Sequence, residues 1–536
     1  MKRLLSALLL AWAPCAAMAG GPSIPADALA QVRAQVEAVD GELGLAVAVT
    51  DRERTLLVAT HGFADIASRR PVTPGTRFAI GSISKSFTAL ALLQMADEGR
   101  FDPEAPVAKY LRDFRPRSAF PPITGRSLLS HTSGLPNYLA PYASMRFLIA
   151  ALGDAETRYA PGEHFWYSNT GYQLLGYVAE AIEGRPFPLI LQRRVLDRLG
   201  MPATAPQIDD RLRGRIAASY VRSPDGRLVE APWFDYLSAD GAVVSNAEDM
   251  AVYARMLLAR GDTPRGRLVS GAAFERFATA GLDDYGFGID VKQGGRVLAH
   301  SGSIAGFQAW LMANLDEGFA VVILGNGPLG ATLRDHIVAR LSRAPVPPPA
   351  AAVTAWPDAT RFAGRFQAGD GRELEFRAYG VDGLLLADAG AVVPLARLGK
   401  EAWGLFLSPH GPRAFIFFRD ATGAVSDVSE GAQSYRPPGA PRSAAALGAD
   451  YQPLVGRYAA HGEEGPDLRV FTRNGELMMG YADGGPATPL AQSGPGRFRF
   501  ADPAWAPEWL AFDTPIDGQA QRMVFSGVPL YRIDLP

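Results

Sequence analysis

The sequence predicts a large mixed α and β unit followed by two small antiparallel β-barrels. Three observations carry that expectation. Residues 26 to about 345 interleave strand-like runs with a helix that is apolar nearly all round. The stretch "APVPPPAAAVTAWP" (344–357) then interrupts the chain with a proline density that breaks helices and interior strands. Beyond it, a pattern of short alternating strands is written twice. At 536 residues the chain is longer than one domain. Its 48% hydrophobic and 20% charged content places it among globular proteins.

Residues 1–19 read as a signal peptide. Lys2 and Arg3 are its basic start, Leu4 to Ala13 its apolar run, and Ala17-Met18-Ala19 its small-x-small cleavage pattern. This predicts a periplasmic or secreted protein. The apolar run is too short to span a bilayer, and no later segment has 18 consecutive apolar residues. No integral membrane span is therefore expected. The single cysteine, Cys15, lies inside this segment, and Pro14 makes it a poor lipid-anchor site. A chain cut after Ala19 has no disulfide and no thiolate chemistry. A net charge of −2 offers no broad basic surface to nucleic acid.

The large mixed unit is expected over 20–345. Leu43–Thr50 and Thr55–Thr60 read as strands paired across a charged turn. Ser82 to Glu98 reads as a buried helix stopped by Gly99. A second helix starts near Ser245–Asp249 and continues through the amphipathic Met250–Leu258. Three more strands are expected at "YGFGIDV", "FQAWLMANL" and "FAVVILGN" between about 285 and 325. A linker (346–358), a first barrel (359–440), a second linker (441–452) and a second barrel (453–536) follow. The repeat is visible as "RFAGRF" (361–366) and "PLVGRY" (453–458), whose Gly364 and Gly456 stand 92 residues apart. Gly383 and Gly475 repeat at the same distance, and Tyr435-Arg436 returns as Tyr531-Arg532. Two copies are too few for a solenoid.

Chemistry concentrates in "FAIGSISKSFTALALL" (78–93). The chain has five lysines against 48 arginines, yet writes Lys85 three residues after Ser82. On a helix, i and i+3 share a face. A serine hydroxyl needs a base to become a nucleophile. A buried lysine can be that base and an arginine cannot. Ser82 as a plain helix cap is the competing reading. A second motif is Tyr167-Ser168-Asn169, the only Tyr-x-Asn in the chain. A tyrosine beside an ammonium can shuttle a proton, and Asn169 can steady Lys85 and donate to a substrate carbonyl. The tripeptide also suits a polar turn. A third is "LAHSGSIAGF" (298–307), a strand that can bring backbone N–H groups to an oxyanion or simply lead into a turn.

Together with "LLSHTSGLP" (128–136) and "SADGAVVSNAEDMAVYARML" (238–257), these motifs resemble the penicillin-recognising serine hydrolases. That family (peptidase family S12) includes class C β-lactamases, DD-carboxypeptidases, D-aminopeptidases and related esterases. The resemblance covers about 35–325. It implies an antiparallel sheet with helices on both faces, a helical subdomain, and a site in the cleft between them. It also implies roles. Ser82 is the acylated nucleophile, and Lys85 with Tyr167 the base system. Asn169, His300, Gly302 and Ser303 bind substrate, and the N–H groups of Ser82 and Ser303 form the oxyanion hole. His300 stands where many β-lactamases carry lysine, and a neutral histidine supplies less charge for a substrate carboxylate.

The added barrels, lipocalin-like in outline, resemble the three-domain D-aminopeptidases. On that likeness the loop "YADGGPATP" (481–489) would carry Asp483 towards a substrate ammonium; a solvated turn is the alternative. The expected function is hydrolysis of amide bonds in short peptides, those with D-residues foremost. The alternatives are a DD-carboxypeptidase or penicillin-binding protein, a weak β-lactamase, a carboxylesterase, and an inert binding or sensor protein. The partner expected is a small peptide-like substrate; oligomeric state is left open. No cofactor or metal is expected: the seven histidines lack H-E-x-x-H spacing, and no G-x-S-x-G elbow or Walker A sequence occurs.

Overall fold

The strand pair read at 43–60 forms one edge of a six-stranded antiparallel sheet in the computed structural model of the chain. The structure describes residues 24–533 except 25, 138–147, 150–151, 154, 223–227, 343–358, 380–382, 398–403, 408–412, 421, 423, 432, 441–450, 461–465, 474 and 482–486. The leader with Cys15, most of both linkers, and Asp483 lie outside the described residues.

Strands β1 (Leu45–Asp51) and β2 (Thr55–His61) pair with Leu45 opposite His61. They join β3 (Asp290–Lys292), β4 (Val297–Ile304), β5 (Phe307–Asn314) and β6 (Phe319–Gly325) in the order β2-β1-β6-β5-β4-β3. β6 is buried along its whole length, as an apolar run covered on both faces should be. Of "YGFGIDV", only the last two residues enter β3. Gly288 instead adopts φ +75 and packs on the Lys85 carbonyl, where a Cβ would come within 2.7 Å.

Side chains alternate across each strand, so the sheet feeds two cores. On one face Val47, Val49, Val321 and Ile323 meet helix α1 (Ala26–Glu37) and, further along the chain, a helix at Ala331–Leu341. On the other, Ala46, Ala48, Val322 and Leu324 belong to the core shared by α2 (Ser84–Asp97), α3 (Asn169–Glu183) and α4 (Ala247–Leu258). The Ala331–Leu341 helix is α5. α2 is buried from Ser84 to Met95. The expected helix start at Ser82 is instead a 3-10 turn, Gly81–Ile83, leading into α2. Gly81 sits at φ +50, outside the helical region. α4 begins as read, with Asn246 accepting the Asp249 N–H at 2.8 Å.

The repeat forms two closed eight-stranded barrels, Gly364 to Arg436 and Gly456 to Ile533. The repeated signatures are their first and last strands. Gln367 pairs with Arg436 in one barrel, and Tyr458 with Arg532 in the other. The first interior is phenylalanine-rich (Phe366, Phe376, Phe406, Phe415, Phe417). The second uses Leu468, Leu477, Met479, Leu510 and Met523. Both interiors are therefore packed cores. The second barrel touches the catalytic unit: the rings of His164 and Trp505 stack at 4.3 Å, and Arg499 bonds Glu156 at 2.6 Å.

Candidate active site

Two glycines set the position of Ser82. A Cβ on Gly302 would lie 1.9 Å from the Ile80 carbonyl oxygen and 3.1 Å from the Ser82 nitrogen. A Cβ on Gly81 would lie 2.6 Å from the Ser303 nitrogen. β4 therefore packs its backbone directly on the Gly81–Ile83 turn. β4 and β5 are joined by Ala305 and Gly306, both at positive φ, as a two-residue hairpin requires. Ile304 and Phe307 close that hairpin, so the next pair, Ser303 opposite Gln308, is a non-hydrogen-bonded one. The Ser303 N–H thus points away from β5, and the Ser303 nitrogen lies against Gly81.

Lys85 lies one turn on, wholly buried. Its Nζ donates to Ser82 Oγ at 3.0 Å, Asn169 Oδ1 at 2.7 Å and the Asp240 carbonyl at 2.8 Å. Burial lowers its pKa to about 8, and the nearby Asp240 carboxylate opposes the shift. The ammonium has three hydrogens for three acceptors. Once neutral, the amine can keep Asn169 and Asp240 and turn its lone pair to Ser82.

Tyr167 and Asn169 are set by a helix start. Ser168 caps α3, its Oγ accepting the Gly171 N–H at 3.1 Å and donating to the Pro136 carbonyl at 2.9 Å. His131 braces the same turn: its Nδ1 accepts the Ser168 N–H at 3.0 Å, and its ring lies 4.2 Å from that of Tyr167. The half-buried Tyr167 faces the Lys85 ammonium, 4.9 Å from its ring centre, and its hydroxyl meets that of Ser82. Burial raises the Tyr167 pKa, and the Ser82 hydrogen bond partly offsets this.

The structure thus brings Ser82, Lys85, Tyr167, Asn169, Gly302 and Ser303 together. His300 differs: it is only 4% exposed, and its Nε2 meets the Tyr285 hydroxyl at 2.9 Å. Burial lowers its pKa to about 4, so it is neutral near pH 7. A cavity of about 270 Å³ runs beside β4, lined by Ser301, Gly302, Ser303, Gln308, Trp310 and Arg334 among others.

Sequence reading missed three parts of this arrangement. Asp240 supplies a carbonyl to Lys85, and Tyr236 and Ser238 hold its carboxylate. Its stretch "SADGAVVSN" carries part of the family resemblance, but nothing in it marks the role. Asn137 accepts the Asn169 N–H at 3.0 Å through Oδ1. Glu508, from the second barrel, accepts the Asn137 N–H at 2.8 Å. Among the described residues no group of three His, Cys, Asp or Glu could hold a metal ion, and no helix is long and apolar enough to cross a membrane.

Comparison with known proteins agrees with this architecture. Protein flp of Staphylococcus aureus (strain MRSA252) is 25% identical over 297 residues, 53% of this chain and 59% of that protein. A penicillin-binding protein of Bacillus subtilis (strain 168) is 27% identical over 296 residues, 50% of this chain. The chain spans about 60% of the length of these curated relatives, 59% and 64% respectively. Two solved structures share the fold at 20% identity. The octameric penicillin-binding protein homologue from Pyrococcus abyssi has a TM-score of 0.52, covering 85% of this chain and 96% of that one. The beta-lactamase/D-alanine carboxypeptidase from Pseudomonas syringae has a TM-score of 0.51, covering 59% of this chain and 98% of that one. The Beta-lactamase family model matches residues 32–343, more than half of the chain. With that match over its fold, the chain belongs to the Beta-lactamase family.

Proposed function

We propose that the protein hydrolyses amide bonds of short peptides, D-residue-containing ones foremost, through an acyl-enzyme at Ser82. One observation carries the reading. Lys85 is buried, poised near pH 8, and donates to the Ser82 hydroxyl while Asn169 and Asp240 fix its other two bonds. Neutral Lys85 takes the Ser82 proton as Oγ attacks the carbonyl carbon. The N–H groups of Ser82 and Ser303 receive the developing oxyanion. Tyr167, whose hydroxyl faces Ser82, relays the proton to the leaving amine, and water then releases the acyl group. The neutral, buried His300 supports a substrate held without a fixed charge from the third motif.

A carboxypeptidase is the second reading, favoured by Arg334, which lies on the wall of the cavity beside Ser303 and would exchange its partner Asp335, at 2.8 Å, for a substrate carboxylate. A panel of D- and L-aminoacyl anilides, D-Ala-D-Ala peptides, a chromogenic cephalosporin and short acyl esters separates them. Preference for D-aminoacyl anilides supports the first reading, and preference for D-Ala-D-Ala peptides the second. Turnover of esters alone overturns both.

A further inference from the structure

The second barrel reaches the catalytic unit through Glu508, and the contact leads inward. Glu508 Oε1 accepts the Asn137 N–H at 2.8 Å. Asn137 Oδ1 accepts the Asn169 N–H at 3.0 Å, and the Asn137 carbonyl accepts the Thr170 hydroxyl at 3.2 Å. Asn169 Oδ1 accepts from Lys85 at 2.7 Å. We propose that Glu508 is a positioning residue through which the second barrel holds Asn137, and with it Asn169, in register with Lys85. The proposal rests on the hydrolase reading for its kinetic consequence but not for its geometry.

Packing alone does not account for a carboxylate here. Glu508 is 2% exposed, and its Oε2 has no hydrogen bond among the described residues. The Trp166 Nε1–H lies against it and partly offsets the cost of its charge, without closing a full hydrogen bond. A glutamine would accept the same N–H without an ionisable group, and a buried acid with so few donors is unfavourable when charged. Of the titratable groups nearby, Tyr159 feels the Glu508 charge directly; Glu163 and His164 adjoin Tyr159, and Arg499, on the neighbouring barrel strand, is engaged by Glu156. Among the described residues no cation pairs with Glu508. Burial accordingly raises its pKa to about 7. Its charged form, the stronger acceptor for the Asn137 N–H, is gained as pH rises through 7.

The test compares wild type with Glu508→Gln between pH 5 and 9. Glutamine keeps the bond to Asn137 in its neutral form. Above pH 8 the variant loses kcat by roughly three- to ten-fold, the scale of coupling through such a network, with KM unchanged. The wild-type-to-variant ratio of kcat follows a sigmoid centred near pH 7, and any contribution from Lys85 cancels in that ratio. The variant's Tm above pH 7 equals or exceeds that of wild type, because a buried charge is gone. Amide hydrogen exchange of the segments holding Asn137 and Asn169, corrected for intrinsic rate, is slower in wild type than in the variant above pH 8, and the difference fades by pH 5. A flat kcat ratio, or a kcat loss that merely tracks a fall in Tm, overturns the proposal. The exchange measurement needs no substrate. Equal exchange at every pH overturns the proposal whatever Ser82 does, whereas absent turnover with the exchange difference intact counts against the hydrolase reading alone.

Discussion

Lys85 and Glu508 stand at opposite ends of one hydrogen-bonded run, and burial moves each towards its neutral form. The lysine falls to about 8 and the glutamate rises to about 7. Their surroundings differ. Lys85 spends all three donors on three acceptors, whereas one Glu508 oxygen is unpaired. The fully satisfied group lies where proton transfer is proposed, and the half-satisfied one where a separate domain docks. Burial alone does not mark chemistry. The arrangement of partners around the buried group does.

The lysine end should fail hardest. Ser82→Ala and Lys85→Arg each lower turnover by at least about 1,000-fold, the scale of losing a nucleophile or its base, with circular dichroism unchanged. Retained activity in Ser82→Ala breaks the account at its first step.

Gly302→Ala comes next. Its Cβ would sit 1.9 Å from the Ile80 oxygen, so β4 must move off the Gly81–Ile83 turn. We expect a loss of about 100- to 1,000-fold in kcat, the range for a misplaced oxyanion donor, read by steady-state kinetics.

The barrel end should respond more mildly. Trp505 stacks on His164 and meets Trp166 edge-on at 5.5 Å. Trp505→Ala should cost about 1–2 kcal/mol in stability, seen by calorimetry, with the Ser82–Lys85 chemistry weakened far less than by Gly302→Ala.

The pH dependence of stability sharpens the contrast through its two windows. The folded pKa of Glu508 lies above its ordinary 4.5, so its contribution is present below pH 4.5 and lost as pH rises through about 7. That of Lys85 lies below its ordinary 10.5, so its contribution is present above pH 10.5 and lost as pH falls through about 8. Each shift amounts to roughly 3 kcal/mol at its limit. Denaturation of Glu508→Gln against wild type should therefore show a gap that opens between pH 4.5 and 7 and stays flat above.

Much of this was legible in the sequence. The buried helix, the Asn246 cap and the strands around 307–325 follow from local pattern. The barrels were legible because their closing strands, "GRF"/"GRY" and "YR", keep the same residues in both copies. Ser82, Lys85, Tyr167 and Asn169, which the structure brings together, stand out in the sequence because each sits in a short motif. The burial of His300 was not, since Tyr285 meets it through tertiary packing. Asn137 and Glu508 are 371 residues apart, and only the docking of the second barrel joins them. The copies also diverge there: "SPHGPR" (408–413) in the first barrel stands against "ADPAWAPE" (501–508) in the second. Repeat analysis rewards what two copies share and so passes over the segment by which one of them docks.

The central claim is that Ser82 becomes a covalent nucleophile when Lys85 is neutral. Mass spectrometry of the protein after brief exposure to a fluorophosphonate, at a series of pH values, tests it most directly. The account predicts a single adduct on the peptide bearing Ser82, absent in Ser82→Ala, whose rate of formation rises with pH through about 8. An adduct on another residue, or labelling that persists in Ser82→Ala, would contradict it.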